Sequence, residues 1–258
     1  MTNNIMQAGI MEEGLVKAST RGVPQGGPLS PILSNIYLDK LDKELESRGL
    51  HFVRYADDFD VFVKSEMAAD RVMASVTSWL GRKLFLKVSA TKTKVVRPSK
   101  GEFLGFTFWK DTQGWKPRPT VDRKKRLYSK IREVLKRKKA IALPLAVTFT
   151  KINQIVRGWI NYFKIGSMKV LCKEMDKRIR YRLRMCIWKQ WKTPQNRIKS
   201  LMKLGVDKDT AWITAYTGSR IAYVCQRRVM NFAINKERLT RFGLVSMLDY
   251  YTERCVTC

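Results

Sequence analysis

Two adjacent carboxylates, Asp57 and Asp58, lie between the β-prone runs Phe52-Val53-Arg54-Tyr55 and Phe59-Asp60-Val61-Phe62-Val63. Carboxylates crowded at a turn repel each other unless a divalent cation neutralises them, and Mg2+ suits all-oxygen ligands. Such pairs serve two-metal phosphoryl transfer, in which ions about 4 Å apart activate the attacking oxygen and stabilise the leaving one. Asp-Asp is also a common turn pair, the plainer reading of the same residues. A second stretch is Gly22-Val23-Pro24-Gln25-Gly26-Gly27-Pro28-Leu29-Ser30-Pro31. Its glycines let backbone lie close to a base or sugar, its prolines stiffen the loop, and Gln25 offers hydrogen bonds to a nucleotide. A bland Gly/Pro turn is the alternative.

The elements that must position these residues follow from spacing. Leu33 to Arg48 reads as a helix carrying Asp39 and Asp42, closed by Gly49. The paired acids then sit at a hairpin turn, and Met67 to Lys83 returns to helical spacing through Val72, Val76, Trp79 and Leu80. Short strands are expected at Leu84 to Val88 and Thr93 to Arg97, flanking Lys92, and at Phe103 to Phe108, where Gly105 admits a close backbone approach. Asp111 to Pro119 reads as a boundary. Beyond it, one helix is expected from Asp122 to Lys139. A second follows Pro144, with the stripe Ile152, Ile155, Val156, Trp159, Ile160 and Phe163. A third has Leu171, Met175, Ile179, Leu183 and Ile187 inward, leaving Lys177, Arg178, Arg180, Arg182 and Arg184 outside the stripe. After Thr193, Gly205, Gly218 and Gly243 break short helical patterns. Strands and helices mix without a regular βαβ count, so the fold class is α+β, with a small helical bundle behind it.

Composition narrows the function. The 258 residues carry 51 Lys and Arg against 22 Asp and Glu, a net charge of +29, with 45% hydrophobic residues. That hydrophobic content argues against disorder, and the charge argues for a polyanionic partner over a small metabolite. Up to Trp109 the balance is 15 basic to 12 acidic residues, and after it 36 to 10. The first part is therefore fit to build a metal site, and the second to track phosphates with salt-dependent affinity; a solvated basic surface is the plain alternative. No apolar run approaches the roughly 20 residues of a membrane span and no signal peptide opens the chain, so an intracellular protein with no membrane partner is expected. Five scattered cysteines imply free thiols. Cys255 and Cys258 have metal-ligand spacing but lack a second pair, and His51, the single histidine, has no nucleophile to serve.

Taken in order, five motifs resemble those of a group II intron-encoded reverse transcriptase and maturase. They are Pro-Gln-Gly-Gly-Pro-Leu-Ser-Pro at 24–31, Tyr-Ala-Asp-Asp at 55–58, Lys-Thr at 92–93, Phe-Leu-Gly-Phe at 103–106 and Arg-Gly-Trp-Ile-Asn-Tyr-Phe at 157–163. Trp188-Lys189-Gln190-Trp191-Lys192 is similar to bacterial members that lack an endonuclease domain. The resemblance implies a partial reverse-transcriptase palm at 1–110, with an antiparallel sheet and helices. It implies a three-helix thumb or maturase domain at 120–192 and a basic, helical, nucleic-acid-binding module at 193–258. Asp57 would be a Mg2+ ligand with Asp58 its neighbour in the catalytic loop. Tyr55 and Ala56 would line the primer end and nucleotide site, and Gln25 and Gly26 would border the template base and incoming nucleotide. Lys92 would protonate the leaving pyrophosphate, although an ordinary surface lysine explains it as well. Leu104 and Gly105 would form the primer grip, and Arg157, Arg178, Arg180 and Arg182 would contact intron RNA, while Trp159 reads as core.

The implied partners are group II intron RNA, an RNA template with a DNA primer, deoxynucleoside triphosphates and a DNA target, in a bacterial cytoplasm at the nucleoid. Such polymerases carry another metal-binding Asp on an earlier palm strand, with a basic fingers region before it. Met1 stands shortly before the Pro-Gln-Gly loop. An N-terminally truncated chain, deficient in DNA synthesis unless an upstream fragment complements it, is therefore expected. A noncatalytic RNA-binding maturase module is the competing expectation.

Overall fold

The structure, a computed structural model, describes residues 10–12, 15–17 and 30–256. The chain divides into two compact units, residues 1–97 and 98–258. The described elements include three separate two-stranded antiparallel sheets, with helices making up most of the rest.

In the first unit, β1 (Ile10–Glu12) pairs with β2 (Leu15–Lys17) in register Met11↔Val16. Helix α1 (Ser30–Ser47) buries Leu38, Leu41 and Leu45, three or four residues apart on one face. It stops at Gly49, whose φ of +65° lets its N–H reach the Glu46 carbonyl while Leu50 N–H bonds that of Leu45. Strands β3 (His51–Tyr55) and β4 (Asp58–Phe62) follow, in register Phe52↔Val61 and Tyr55↔Asp58. Helix α2 (Glu66–Lys83) starts on Ser65, whose hydroxyl accepts from Ala68 N–H, and ends with Arg82 and Lys83 against the negative end of its dipole. Its Val76 and Leu80 join Leu84 and the three α1 leucines in one core, with Phe52, Phe59 and Val61 packed against it. By strand alternation Tyr55, Asp58 and Asp60 fall on the face of β3–β4 opposite that core.

The expected strands at 84–88 and 93–97 are absent. Leu84 is instead the C-cap of α2, Phe85 has φ +53°, and Ser89 to Thr93 forms a turn in which Lys92 and Thr93 N–H bond the Ser89 carbonyl. β-Prone residues without a paired partner gain no ladder, and propensity alone does not make a strand.

The second unit opens with β5 (Phe106–Asp111) and β6 (Gly114–Pro119), paired Phe106↔Pro119 to Asp111↔Gly114. Residues 111–119, read from sequence as a boundary, are thus mostly strand. Pro117 and Pro119 are tolerated because a two-stranded sheet consists of edges. The expected strand at 103–108 begins later, since Phe103 and Phe106 pair across a tight turn made by Leu104 (φ +51°) and Gly105 (φ +81°).

The helix expected over 122–139 is broken into α3 (Val121–Val134) and α4 (Arg137–Ala142), with Lys136 extended between them. Glu133 spans the break by ion pairs to Lys136 and Lys139, which hold its carboxyl down at about 2. Helix α5 (Leu145–Phe163) follows Pro144, which suits a helix start. Helix α6 is Lys169–Gln190. The two stripes meet as expected: Ile152, Val156, Ile160, Met175, Ile179 and Leu183 are buried. Each such side chain contributes about 1.5–3 kcal/mol. Contrary to the sequence reading, Arg184 is buried too, donating from Nε to the Ile234 carbonyl at 3.0 Å. Helix α6 is covered on two sides, so its outer row is not wholly solvent-facing.

Helices α7 (Pro194–Lys203), α8 (Lys208–Tyr216), α9 (Ile221–Val224), α10 (Arg228–Ala233), α11 (Lys236–Arg241) and α12 (Met247–Val256) complete the unit and share its core. Among the described residues no helix is long and apolar enough to cross a membrane.

Candidate functional site

The β3–β4 turn presents the paired acids. Pairing of Tyr55 with Asp58 leaves Ala56 and Asp57 as a two-residue loop, and Ala56 takes φ +54°. An alanine in the left-handed region costs roughly 1–2 kcal/mol, so the conformation needs outside support. Arg54 supplies it. Its Nε and Nη2 donate to Asp42 Oδ1 and Oδ2 at 2.7 and 2.5 Å, while Nη1 donates to Asn35 Oδ1 and to the Ala56 carbonyl, both at 2.9 Å. The Asp42 carboxylate raises the guanidinium's pKa further. The carboxylates of α1 therefore serve the scaffold: Asp42 holds Arg54, and Asp39 pairs with Lys43 at 2.6 Å.

Asp57 and Asp58 are exposed on this turn, Tyr55 is exposed beside them and Ala56 is half-buried. Asp60, two residues along the same face of β4, is half-buried; burial first, then the Asp58 charge, pushes its carboxyl upward. The donors are oxygens, the right chemistry for a hard divalent cation, and Asp57 and Asp58 are the residues that would hold it. Among the described residues no group of three or more His, Cys, Asp or Glu side chains converges. Lys92 is exposed in the Ser89–Thr93 turn of the same unit. Gln25 and Gly26 lie outside the described residues.

In the second unit, Leu104 and Gly105 form the tip of the turn before β5. Tyr162 of α5 donates its hydroxyl to the Leu104 carbonyl at 3.0 Å, and its ring stacks on Phe106 with centroids 6.0 Å apart. A Cβ on Gly105 would meet Arg123 Nε at 2.7 Å, so the glycine answers both a positive φ and a close neighbour. Trp159 packs against the core, as its stripe position implied.

The basic residues fall into distinct groups. Arg178 lies over the Tyr128 ring at 5.2 Å, and Arg182 donates to the Tyr128 hydroxyl. That hydrogen bond, aided by the Arg182, Arg178 and Arg132 charges, lowers the phenol's pKa. Lys124 is pushed down by burial and by Arg118. Arg180 is half-buried, and its charge helps lower the pKa of Arg184, chiefly set by burial. Arg157 is exposed and lies 5.9 Å over Tyr250, which Arg254 also covers at 5.2 Å. Cations held this close together concentrate positive potential, which a phosphate backbone would relieve.

Sequence reasoning missed several supporting residues. Asp176, buried, accepts from the Ser246 hydroxyl and from Met247 and Leu248 N–H, capping α12 from another helix. Asn153 clamps the Gly243–Val245 loop through Gly243 O and Val245 N–H. Asp176 alone left a trace in the pattern, as an acid beside the inward Met175. Among the described residues, Cys172, Cys186 and Cys225 are buried and Cys255 half-buried, none of them in a disulfide, and Cys258 lies outside the described residues.

Comparison with known proteins completes the picture. Residues 4–108 match the reverse transcriptase (RNA-dependent DNA polymerase) family, and residues 124–205 match the group II intron maturase-specific domain. The chain is similar to protein YkfC of Escherichia coli, 30% identical over 135 residues, which are 39% of this chain and 35% of that one. It is also similar to the putative COX1/OXI3 intron 2 protein of Saccharomyces cerevisiae, 35% identical over 79 residues, 31% of this chain and 8% of the yeast protein. The match thus spans about a third of one relative's length and under a tenth of the other's. With the Tyr-Ala-Asp-Asp turn inside the first matched stretch, and α5, α6 and most of α3 inside the second, the chain joins a reverse transcriptase stretch to a group II intron maturase-specific domain.

Proposed function

We propose that this chain acts as an RNA-directed DNA polymerase and as a maturase in the splicing and mobility of a group II intron. The observation that carries the reading is the exposed Asp57–Asp58 pair on a turn braced by Arg54, within the stretch matched to reverse transcriptases. Asp57 and Asp58 would hold Mg2+, which when bound supplies positive charge against the developing charge at phosphorus. Tyr55 and Ala56 flank the primer's 3′-hydroxyl, which attacks a deoxynucleoside triphosphate paired to an RNA template. Gln25 and Gly26 border that base pair. Lys92 gives a proton to the departing pyrophosphate, and its exposure in a turn leaves it able to reach one. Leu104 and Gly105 hold the primer backbone, the Tyr162 hydrogen bond fixing the turn that presents them. Arg157, Arg178, Arg180 and Arg182 contact the intron RNA, and residues 193–258 meet nucleic acid, including the DNA target. The setting is a bacterial cytoplasm, at the nucleoid.

The test is primer extension on an RNA template with Mg2+. The arms are the chain alone, the chain with a fragment supplying the fingers and early palm of a related enzyme, and each with Asp57→Ala. Extension in either arm that falls about 100-fold or more on Asp57→Ala supports the polymerase. Extension indifferent to Asp57→Ala would place the chemistry elsewhere.

A second reading, a noncatalytic maturase module, is favoured by the excess of 36 basic over 10 acidic residues after Trp109. It requires no extension in any arm, with intron RNA binding steeply weakened by salt and unchanged by Asp57→Ala.

A further inference from the structure

Helix α8 sorts its residues against the usual rule. Its small side chains Ala211, Thr214 and Ala215 are buried, while Trp212 (55% exposed), Ile213 and Tyr216 (49%) face outward. Large aromatics left outside over a core filled by alanines mark a surface with a ligand to meet. The Trp212 and Tyr216 rings lie 4.8 Å apart at 38°, one helical turn from each other. The strip continues past the helix end. Thr217 Oγ1 accepts from Arg227 Nη1 at 3.4 Å, and the Arg227 guanidinium lies 5.2 Å over the ring of Tyr223, itself 56% exposed. From Ala211 to Asn235 the sequence has three arginines and no acid. The segment lies beyond residue 205, where the maturase-domain match ends.

We propose that Trp212, Tyr216, Tyr223 and Arg227 form a stacking site for unpaired bases of RNA. Flat rings offer stacking faces to any base, and an arginine already lying over one of them adds a cation for a phosphate contact. Duplex DNA keeps its bases stacked inside, whereas a folded RNA displays unpaired bases in loops and bulges. The inference rests on the reading of this unit as an RNA binder and deepens it: the cations around Tyr128 meet backbone, and the aromatic strip meets bases.

The test is fluorescence anisotropy of the full chain with a labelled single-stranded RNA of about 12 nucleotides, its RNA duplex and the matching single-stranded DNA. Trp212→Ala and Tyr223→Ala should each weaken single-stranded RNA binding about tenfold or more. Trp212→Phe should keep most of the affinity. Duplex affinity and the salt dependence should be unchanged, because stacking releases no counterions. Equal loss on single strand and duplex, no loss, tighter binding of DNA than of RNA, or loss of self-association instead would each overturn the proposal. Steep salt-dependent binding of intron RNA in the same preparations, with both alanine variants inert, would reject the stacking site alone. Failure to bind any nucleic acid would reject the underlying reading as well.

Discussion

Arg54 donates to the carbonyl oxygen of Ala56 at 2.9 Å while its remaining nitrogens grip both oxygens of Asp42. The bracing ties α1 to the turn that bears Asp57. It also explains how a non-glycine residue is kept at φ +54°, because the hydrogen bond to its carbonyl offsets strain that the loop alone would relax.

Removing either partner should therefore loosen the turn, and removing both should cost less than the sum. Asp42→Ala and Arg54→Ala are each expected to lower the stability of the first unit by about 1–3 kcal/mol, with a coupling of about 1–2 kcal/mol in the double variant. Hydrogen exchange across residues 51–62 measures it. Strictly additive losses would mean that the pair does not act as one brace.

Gly105→Ala should destabilise the second unit by about 1–2 kcal/mol, from a Cβ at φ +81° and its clash with Arg123. Adding Arg123→Ala removes the clash and leaves the backbone strain, so only part of the loss should return. Urea midpoints of the parent chain and the three variants in the cycle decide this. Full recovery in the double variant would show that the backbone there is unstrained.

The difference between these two sites reflects what a linear pattern carries. The Asp57–Asp58 turn was legible because its β-prone flanks are adjacent in sequence. Its brace was not, because Asp42 lies 12 residues from Arg54 on a different element and an Arg in a strand has many possible partners. The break between α3 and α4 was hidden for a related reason: Lys136 to Lys139 are acceptable helix formers with no local stop signal, and α4 is held at its far end by Gln190, some 50 residues on, which donates to the carbonyls of Ala140, Ile141 and Leu143. Thr93 to Arg97 failed in the opposite sense, with strand propensity and no ladder. The helix stripes of α5 and α6 were read correctly because burial on one face imposes its period directly on the sequence.

Asp176 makes a sharper case for long-range capping. Its carboxylate takes two backbone N–H groups from the first turn of α12 and the Ser246 hydroxyl, all at 2.8–3.0 Å. Asp176→Ala should cost about 2–4 kcal/mol, since it orphans buried donors and removes charge from the positive end of the helix dipole. Protection from hydrogen exchange should fall first in residues 247–256. Asp176→Asn keeps one acceptor and should lose less. Equal losses for Ala and Asn would assign the effect to charge alone.

The alkaline limb of stability should also be traceable to particular residues. Tyr251 donates its hydroxyl to the Gly166 carbonyl at 2.8 Å and accepts from Met168 N–H. Burial, then a hydrogen bond with Cys255, pushes its pKa from 10.0 up to about 12. Burial likewise raises Cys172 from 9.0 to about 12. A group whose folded pKa is raised retains its proton longer in the folded chain than in the unfolded one. Its contribution is complete below the unfolded pKa and is lost as pH rises through the folded one, here between about 9 and about 12. Lysines lose charge in the same window and relieve self-repulsion, an opposing trend common to every variant. The comparison with Tyr251→Phe isolates the phenol. That variant should lose about 1–2 kcal/mol at pH 8 from the missing hydrogen bonds and decline less steeply above pH 10. Urea midpoints at half-unit pH steps decide it, and parallel declines in the two proteins would mean that the phenol's ionisation is not linked to unfolding.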